Sequence, residues 1–283
     1  MLIMLALMYL QLKRFDADDR REAITTDLRN LPAASTQKLR DEFIESQMSR
    51  LYSAMVLGSA GVLVIVNRRV TGDLSNWNWL DTSAVLFVVG CGVYYGLQVF
   101  REMPYGRRLR QAIRAEQASA QELSASLAGD NRIIHDLQAG SFNIDHVVIT
   151  PAGVFAVETK SRLKPPAGSG SPKVKYDGKG LDFGGWRETK PVDQADRQAR
   201  WLSNYLREST GERYPVFAVL ALPGWFIENT ARISDDMVRV INPKRSQWLL
   251  LPEKRPILLN AAAIQRAAFA IEKLAQQKEV KDG

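Results

Sequence analysis

Cysteine and histidine are nearly missing from this chain. Cys91 is the single cysteine and lies inside an apolar run, so no intrachain disulfide can form and no cysteine cluster can bind zinc. The two histidines, His135 and His146, are too few for a histidine-rich metal site. No basic segment precedes the opening apolar stretch, Met1 to Leu10, and no small-residue cleavage site follows it, which argues against a secretory signal. Ten apolar residues also fall short of a bilayer core of about 30 Å, so the stretch reads as an interfacial anchor or as a start placed too early. No internal repeat is visible. Hydrophobic residues make up 46% of the chain, an ordinary globular value, which excludes a protein embedded in membrane throughout.

What is present is positive charge and two long uncharged runs. The formal net charge is +7. Such a balance suits nucleic acid, anionic lipid or the flanks of membrane helices. Residues 15 to 50 read as polar helices broken near Pro32. Leu51 to Val66 carries no charge and is bounded by Arg50 and by Arg68 and Arg69; Trp79 to Phe100 contains only Asp81 and ends at Arg101. These lengths suit transmembrane helices, and Trp77 and Trp79 stand where an interfacial belt would be. A buried helical hairpin of a soluble protein is the alternative. Basic residues outside the loop (Lys38, Arg40, Arg50, then Arg101, Arg107, Arg108, Arg110 and Arg114) favour an inner-membrane hairpin with both termini cytoplasmic, against the two arginines in the loop. The division expected is a polar N-terminal segment over 1–50, the hairpin over 51–101 and a soluble α/β domain over 102–283.

In that domain the periodicity predicts a helix over Arg108 to Leu127, a strand at Arg132 to Leu137, and a hairpin of Asn143 to Thr150 and Val154 to Lys160 around a Pro-Ala-Gly turn. An edge hairpin is expected at Val174 to Tyr176 and Leu181 to Phe183. A helix follows from Val192 to Glu208, then strands at Pro215 to Leu222 and Val238 to Ile241, and a closing amphipathic helix from Asn260 to Gln276. Trp186 and Trp201 are core or stacking residues, core being the simpler expectation. The basic residues of the long loop, Arg162, Lys164, Lys173, Lys175 and Lys179, line a phosphate backbone or form a solvated flap.

The chemistry gathers on the first hairpin. Glu158 and Lys160, two apart in a strand, share a face, and the short turn lets Asp145 reach it. Paired carboxylates suit Mg²⁺ or Mn²⁺, hard ions that also take phosphate oxygens, and a neighbouring lysine can hold the phosphate or orient water. The same residues could form an ordinary cross-strand ion pair. However, Val147, Val148, Ile149, Val154, Phe155 and Val157 make the hairpin central and mostly buried, where charges must be paired or bind a metal. His146 alternates away from Asp145 and reads as a packed residue.

Three stretches, Ile144 to Val148, Gly153 to Phe155 and Val157 to Lys160, resemble the nuclease-related (NERD) domain of the PD-(D/E)XK nuclease superfamily. Pro191 with Gln194, Glu116 with Leu123, and Ile134 to Asp136 continue the likeness, which covers roughly Arg107 to Leu251. The resemblance implies a restriction-endonuclease-like core with a mixed central sheet flanked by helices. It also implies Asp145, Glu158 and Thr159 at a metal, Lys160 as catalytic lysine, Glu116 as a further acid there, and Gln194 positioning phosphate or water. Ala115 and Gln117 depart from the glycines usual around that glutamate, and Lys190 stands in place of an asparagine.

The function so implied is a Mg²⁺- or Mn²⁺-dependent nuclease acting on DNA or RNA at the cytoplasmic face of a bilayer, with self-association through the hairpin a further expectation. A catalytically silent nucleic-acid- or protein-binding module is the alternative.

Overall fold

The computed structural model describes residues 31–71, 77–125, 131–164, 172–245 and 256–282. The opening apolar stretch, the polar segment as far as residue 30, the centre of the apolar loop and much of the long basic loop lie outside these residues. Two helices come first, α1 (Ala34–Thr71) and α2 (Trp79–Ala125). Each is long and apolar enough to cross a membrane, and only 6% of each apolar window is buried. The α2 helix is continuous from the apolar run into the domain, with Pro104 inside it. It opens on a reciprocal cap: Asn78 Oδ1 accepts from the Leu80 amide at 2.9 Å and Asp81 Oδ2 accepts from the Asn78 amide at 3.1 Å.

The helices run antiparallel, and glycines set how closely they approach. A Cβ on Gly61 would lie 2.4 Å from Val88, and one on Gly106 would lie 2.5 Å from the Phe43 ring. Phe43 also meets Tyr105 edge-on at 5.5 Å between centroids. Glu102 of α2 pairs with Arg50 of α1 at 2.5 Å and accepts from Gln47 at 2.6 Å.

Beyond α2 the chain builds a mixed five-stranded sheet from β1 (Arg132–Gln138), β2 (Asn143–Thr150), β3 (Gly153–Thr159), β7 (Val216–Ala221) and β9 (Arg239–Ile241), in the order β1-β2-β3-β7-β9. The first three strands are antiparallel and the last two join in parallel. Near-continuous apolar residues suit β2 and β3 to burial on both faces, and all of β3 is buried. On one face lie α3 (Lys190–Thr210) and α4 (Ala261–Asp282), whose Leu202, Leu206, Ile264 and Ile271 pack on Ile134, Val147, Ile149, Val154 and Ala156. Each such fully buried aliphatic side chain contributes about 2 kcal/mol by leaving water. On the other face Leu123 of α2 meets Val148, Phe155, Val157 and Val219. Pro191 stands in the first turn of α3, and Gly211 ends the helix in the left-handed region at φ 76.

A second sheet departs from expectation. The strands β4 (Lys173–Tyr176) and β5 (Leu181–Asp182) join β6 (Arg187–Glu188) and β8 (Phe226–Asn229) in the order β6-β5-β4-β8, so β4 is interior rather than an edge. Its core is Val174, Tyr176, Leu181 and the fully buried Trp225. Trp186, expected in the core, is exposed, because it caps this small sheet by stacking on Phe183 at 4.7 Å. Trp201 is half-buried between Phe142 and Tyr205.

The turn that joins β2 to β3 depends on Gly153, at φ 130, where a Cβ would lie 2.7 Å from the Phe217 ring and 2.9 Å from the Pro215 carbonyl oxygen. That oxygen cannot retreat, because it accepts from the Val154 amide at 2.9 Å. Gly153→Ala is therefore expected to destabilise the domain by about 2 kcal/mol or more, through strain and overlap together, measurable as a shift in the denaturant midpoint.

Candidate active site

Strand register brings acids together in a row. The ladder pairs His135 with His146 and Leu137 with Ile144, which sets Asp136 across from Asp145. The next ladder ends at His146 and Val157, one step before Asp145 would face Glu158. Each of these carboxylates is held by different partners. Asp136 sits at φ 49, and its carboxylate accepts from Asn143 Nδ2 at 2.7 Å. Asp145 Oδ2 accepts from the Thr159 amide at 2.6 Å, where the ladder has stopped. Glu158 receives Lys160 Nζ on Oε1 at 2.5 Å and Gln198 Nε2 on Oε2 at 2.5 Å.

The site's other walls come from helices. Glu116 projects from α2 and accepts from Thr36 Oγ1 of α1 at 3.0 Å on one oxygen; its other oxygen is buried without a hydrogen-bond partner. Thr36, Glu116, Asp145, Glu158, Thr159 and Lys160 line a cleft of about 410 Å³ that also includes Arg108, Asn143, Ser161, Arg162 and Gln194. Lys160 is anchored by its amide to the Ala221 carbonyl at 2.9 Å, which prolongs the parallel pairing with β7 past the end of β3. Arg162 is held by Glu188 through bonds of 2.6 to 3.1 Å, a forked pairing suited to guanidinium and carboxylate.

The electrostatics follow from crowding carboxylates in a dry cleft. Asp145 is 7% exposed, Glu116 6% and Glu158 2%. Burial holds the Asp145 carboxyl well above the usual range, and the charges of Glu158 and Glu116 push it further. Glu116 is pushed up to about 7, chiefly by burial, then by Asp136 and Glu158, against the opposing pull of Thr36 and Lys160. A bound cation would relieve these repulsions directly.

All the residues nominated from sequence stand around this cleft. Gln194 lines it, and sequence reasoning missed Gln198, one helical turn later, which donates to Glu158 at 2.5 Å and to the Asn143 carbonyl at 2.9 Å. Gln194 and Gln198 share a helical face, so the spacing alone could have nominated either. Thr159 contributes its amide to Asp145, and its buried hydroxyl oxygen has no hydrogen-bond partner. His146 is fully buried against His135, with the two Nδ1 atoms 2.9 Å apart.

Among the described residues no group of three histidine, cysteine, aspartate or glutamate side chains forms a ready-made metal cluster. The donor chemistry still fits a hard divalent ion. Mg²⁺ commonly takes one or two carboxylates and completes its shell with water and substrate. The unpartnered Glu116 oxygen and the spare lone pairs of Asp145 and Glu158 are oxygen donors of that kind.

The domain is of mixed α/β class, with an acidic cleft and a lysine beside its carboxylates. Residues 111–223 match the nuclease-related domain, NERD. No curated protein and no solved structure matches the chain. The matched region begins within α2 and contains Glu116, Asp145, Glu158, Thr159, Lys160, Gln194 and Gln198.

The raised Glu116 gives a pH signature. Its carboxyl ordinarily titrates at 4.5 and in the fold at about 7, so the folded protein holds this proton more tightly than the unfolded chain. Stability contributed by the protonated form is full at low pH and is lost as the pH rises through that window. In chelator, the Tm of Glu116→Gln should therefore fall less between pH 5 and pH 8 than that of the wild type. Identical slopes for the two proteins would remove Glu116 as the source.

Proposed function

We propose that the protein is a divalent-metal-dependent nuclease tethered to a membrane, hydrolysing phosphodiester bonds of DNA or RNA in the cleft between α2, β3 and α3. The observation that carries this is the convergence of Asp145, Glu158 and Glu116 beside Lys160, within a nuclease-related domain. Asp145, Glu158 and Glu116 would hold Mg²⁺ or Mn²⁺, with Thr159 beside them. Such an ion, when bound, lowers the pKa of a bound water and offsets charge on the scissile phosphate.

The protein's own residues prepare the rest. Gln198 fixes one Glu158 oxygen, leaving the other to orient Lys160, whose ammonium supplies fixed positive charge where negative charge grows on the phosphate. The Thr159 amide fixes one Asp145 oxygen and leaves the second for a ligand. Arg108, at the cleft wall, adds attraction for the substrate backbone.

Membrane attachment is supported by two helices long and apolar enough to span a bilayer and by their exposed side chains. The Thr36 to Glu116 bond favours both ends of the hairpin on one side, and the arginines after Phe100 favour the cytoplasmic side.

A binding module without turnover is the second reading. It is favoured by the Lys160–Glu158 pair, in which each charge already has its partner.

The test is cleavage of labelled single- and double-stranded DNA and RNA by the full chain in lipid nanodiscs, with Mg²⁺ or Mn²⁺. Wild type should cleave at least one substrate, and Lys160→Ala and Asp145→Asn should each lower the rate by about a hundredfold or more. Nucleic acid bound with equal affinity by wild type and variants, and cut by none, would select the binding module.

A further inference from the structure

The residues that build the cleft do not all belong to the region that matches the nuclease-related domain. In the first turn of α1, ahead of the apolar run and far from the matched segment in sequence, Thr36 lines the cleft and Ser35 stands behind it. Ser35 donates its amide to Asp136 Oδ2 at 2.5 Å and its hydroxyl to Asp136 Oδ1 at 2.8 Å, a contact between residues 101 apart. Asn143 Nδ2 joins the same cluster, reaching Ser35 Oγ at 3.1 Å. Thr36, the next residue, lines the cleft and donates to Glu116.

We infer that Ser35 and Thr36 are positioning residues of the nuclease site, so that the cleft is complete only when the segment preceding the apolar hairpin is docked on the domain. This rests on the nuclease reading above.

The chemistry is specific to these groups. Glu116 is 6% exposed, and the Thr36 hydroxyl engages one of its oxygens while the other stays buried without a hydrogen-bond partner. A carboxylate tied by one oxygen presents the second in a fixed direction, which is what a metal or a water beside Asp145 and Glu158 requires. Ser35 acts one step further back. Its amide and hydroxyl hold Asp136 as a cap on the start of α1, where the positive end of the helix favours a carboxylate. Buried Ala33, at φ 64, turns the chain into that position. The docked turn is continuous with the close packing of Phe43 on Gly106 and the Arg50–Glu102 pair, so α1 cannot slide along α2 without moving Thr36 from Glu116.

The full chain in nanodiscs tests this with Thr36→Val, which keeps the shape and removes the hydroxyl, Thr36→Ser, which restores it, and Ser35→Ala. Two readouts are taken: Mn²⁺ binding by electron paramagnetic resonance, and kcat and KM for nucleic acid cleavage. Thr36→Val should weaken Mn²⁺ binding and lower kcat by about tenfold or more, with KM and Tm near wild type. Thr36→Ser should recover most of both, and Ser35→Ala should show a smaller loss of the same kind. Wild-type Mn²⁺ affinity and kcat in Thr36→Val would overturn the inference, as would a loss matched by a fall in Tm that Thr36→Ser does not repair. A wild-type chain that neither binds Mn²⁺ nor cleaves would instead sink the nuclease reading and take this inference with it.

Discussion

The constraint on which this domain turns is the cost of keeping carboxylates out of water. Asp145, Glu158 and Glu116 are all nearly covered, and isolated buried anions are among the most expensive things a fold can hold. Every neighbour is explicable as a response. Lys160 and Gln198 occupy the two oxygens of Glu158, the Thr159 amide takes one from Asp145, and Thr36 takes one from Glu116. The compensation is incomplete, because one Glu116 oxygen keeps no partner.

The sheet arranges this mainly through strand register. Antiparallel pairing of β1, β2 and β3 sets acids at neighbouring positions, while the ladder between β2 and β3 stops one residue short of joining them. The gap leaves an amide free to bond a side chain instead of a strand. The switch from antiparallel to parallel pairing at β3 then carries Lys160 alongside Ala221, so the lysine emerges from a strand fixed on both sides. The one strained acid is Asp136, at φ 49, and its partners are the first turn of α1 and Asn143.

Much of this was legible in the chain. Period-two alternation placed Glu158 and Lys160 on one face, and the Pro-Ala-Gly turn brought Asp145 to them. Helical periodicity found α3 and α4 to within a few residues, and length with apolarity found the two long helices. The second sheet was less legible because β5 and β6 are two residues long each, too short for any period to show. Its aromatic cap, Trp186, looks like a core residue until its partner Phe183 is known to lie beneath it. Gln198 and Gln194 are equivalent in spacing, and only the packing of α3 on Glu158 separates them. Ser35 and Thr36 were out of reach: locally they spell a helix start, and nothing there points to partners 101 and 80 residues further along the chain.

The uninterrupted run of α2 has a consequence for reach. Sixteen residues separate Phe100, the end of the apolar run, from Glu116; at 1.5 Å per residue this is at most about 24 Å, less if the helix bends at Pro104. With the apolar run seated in a bilayer, the cleft would stand at a nearly constant height above the lipid headgroups, mounted on a strut rather than swinging on a tether. Such a mount would select by position: a polymer sliding along the membrane surface would pass the cleft, and one held well away from it would not.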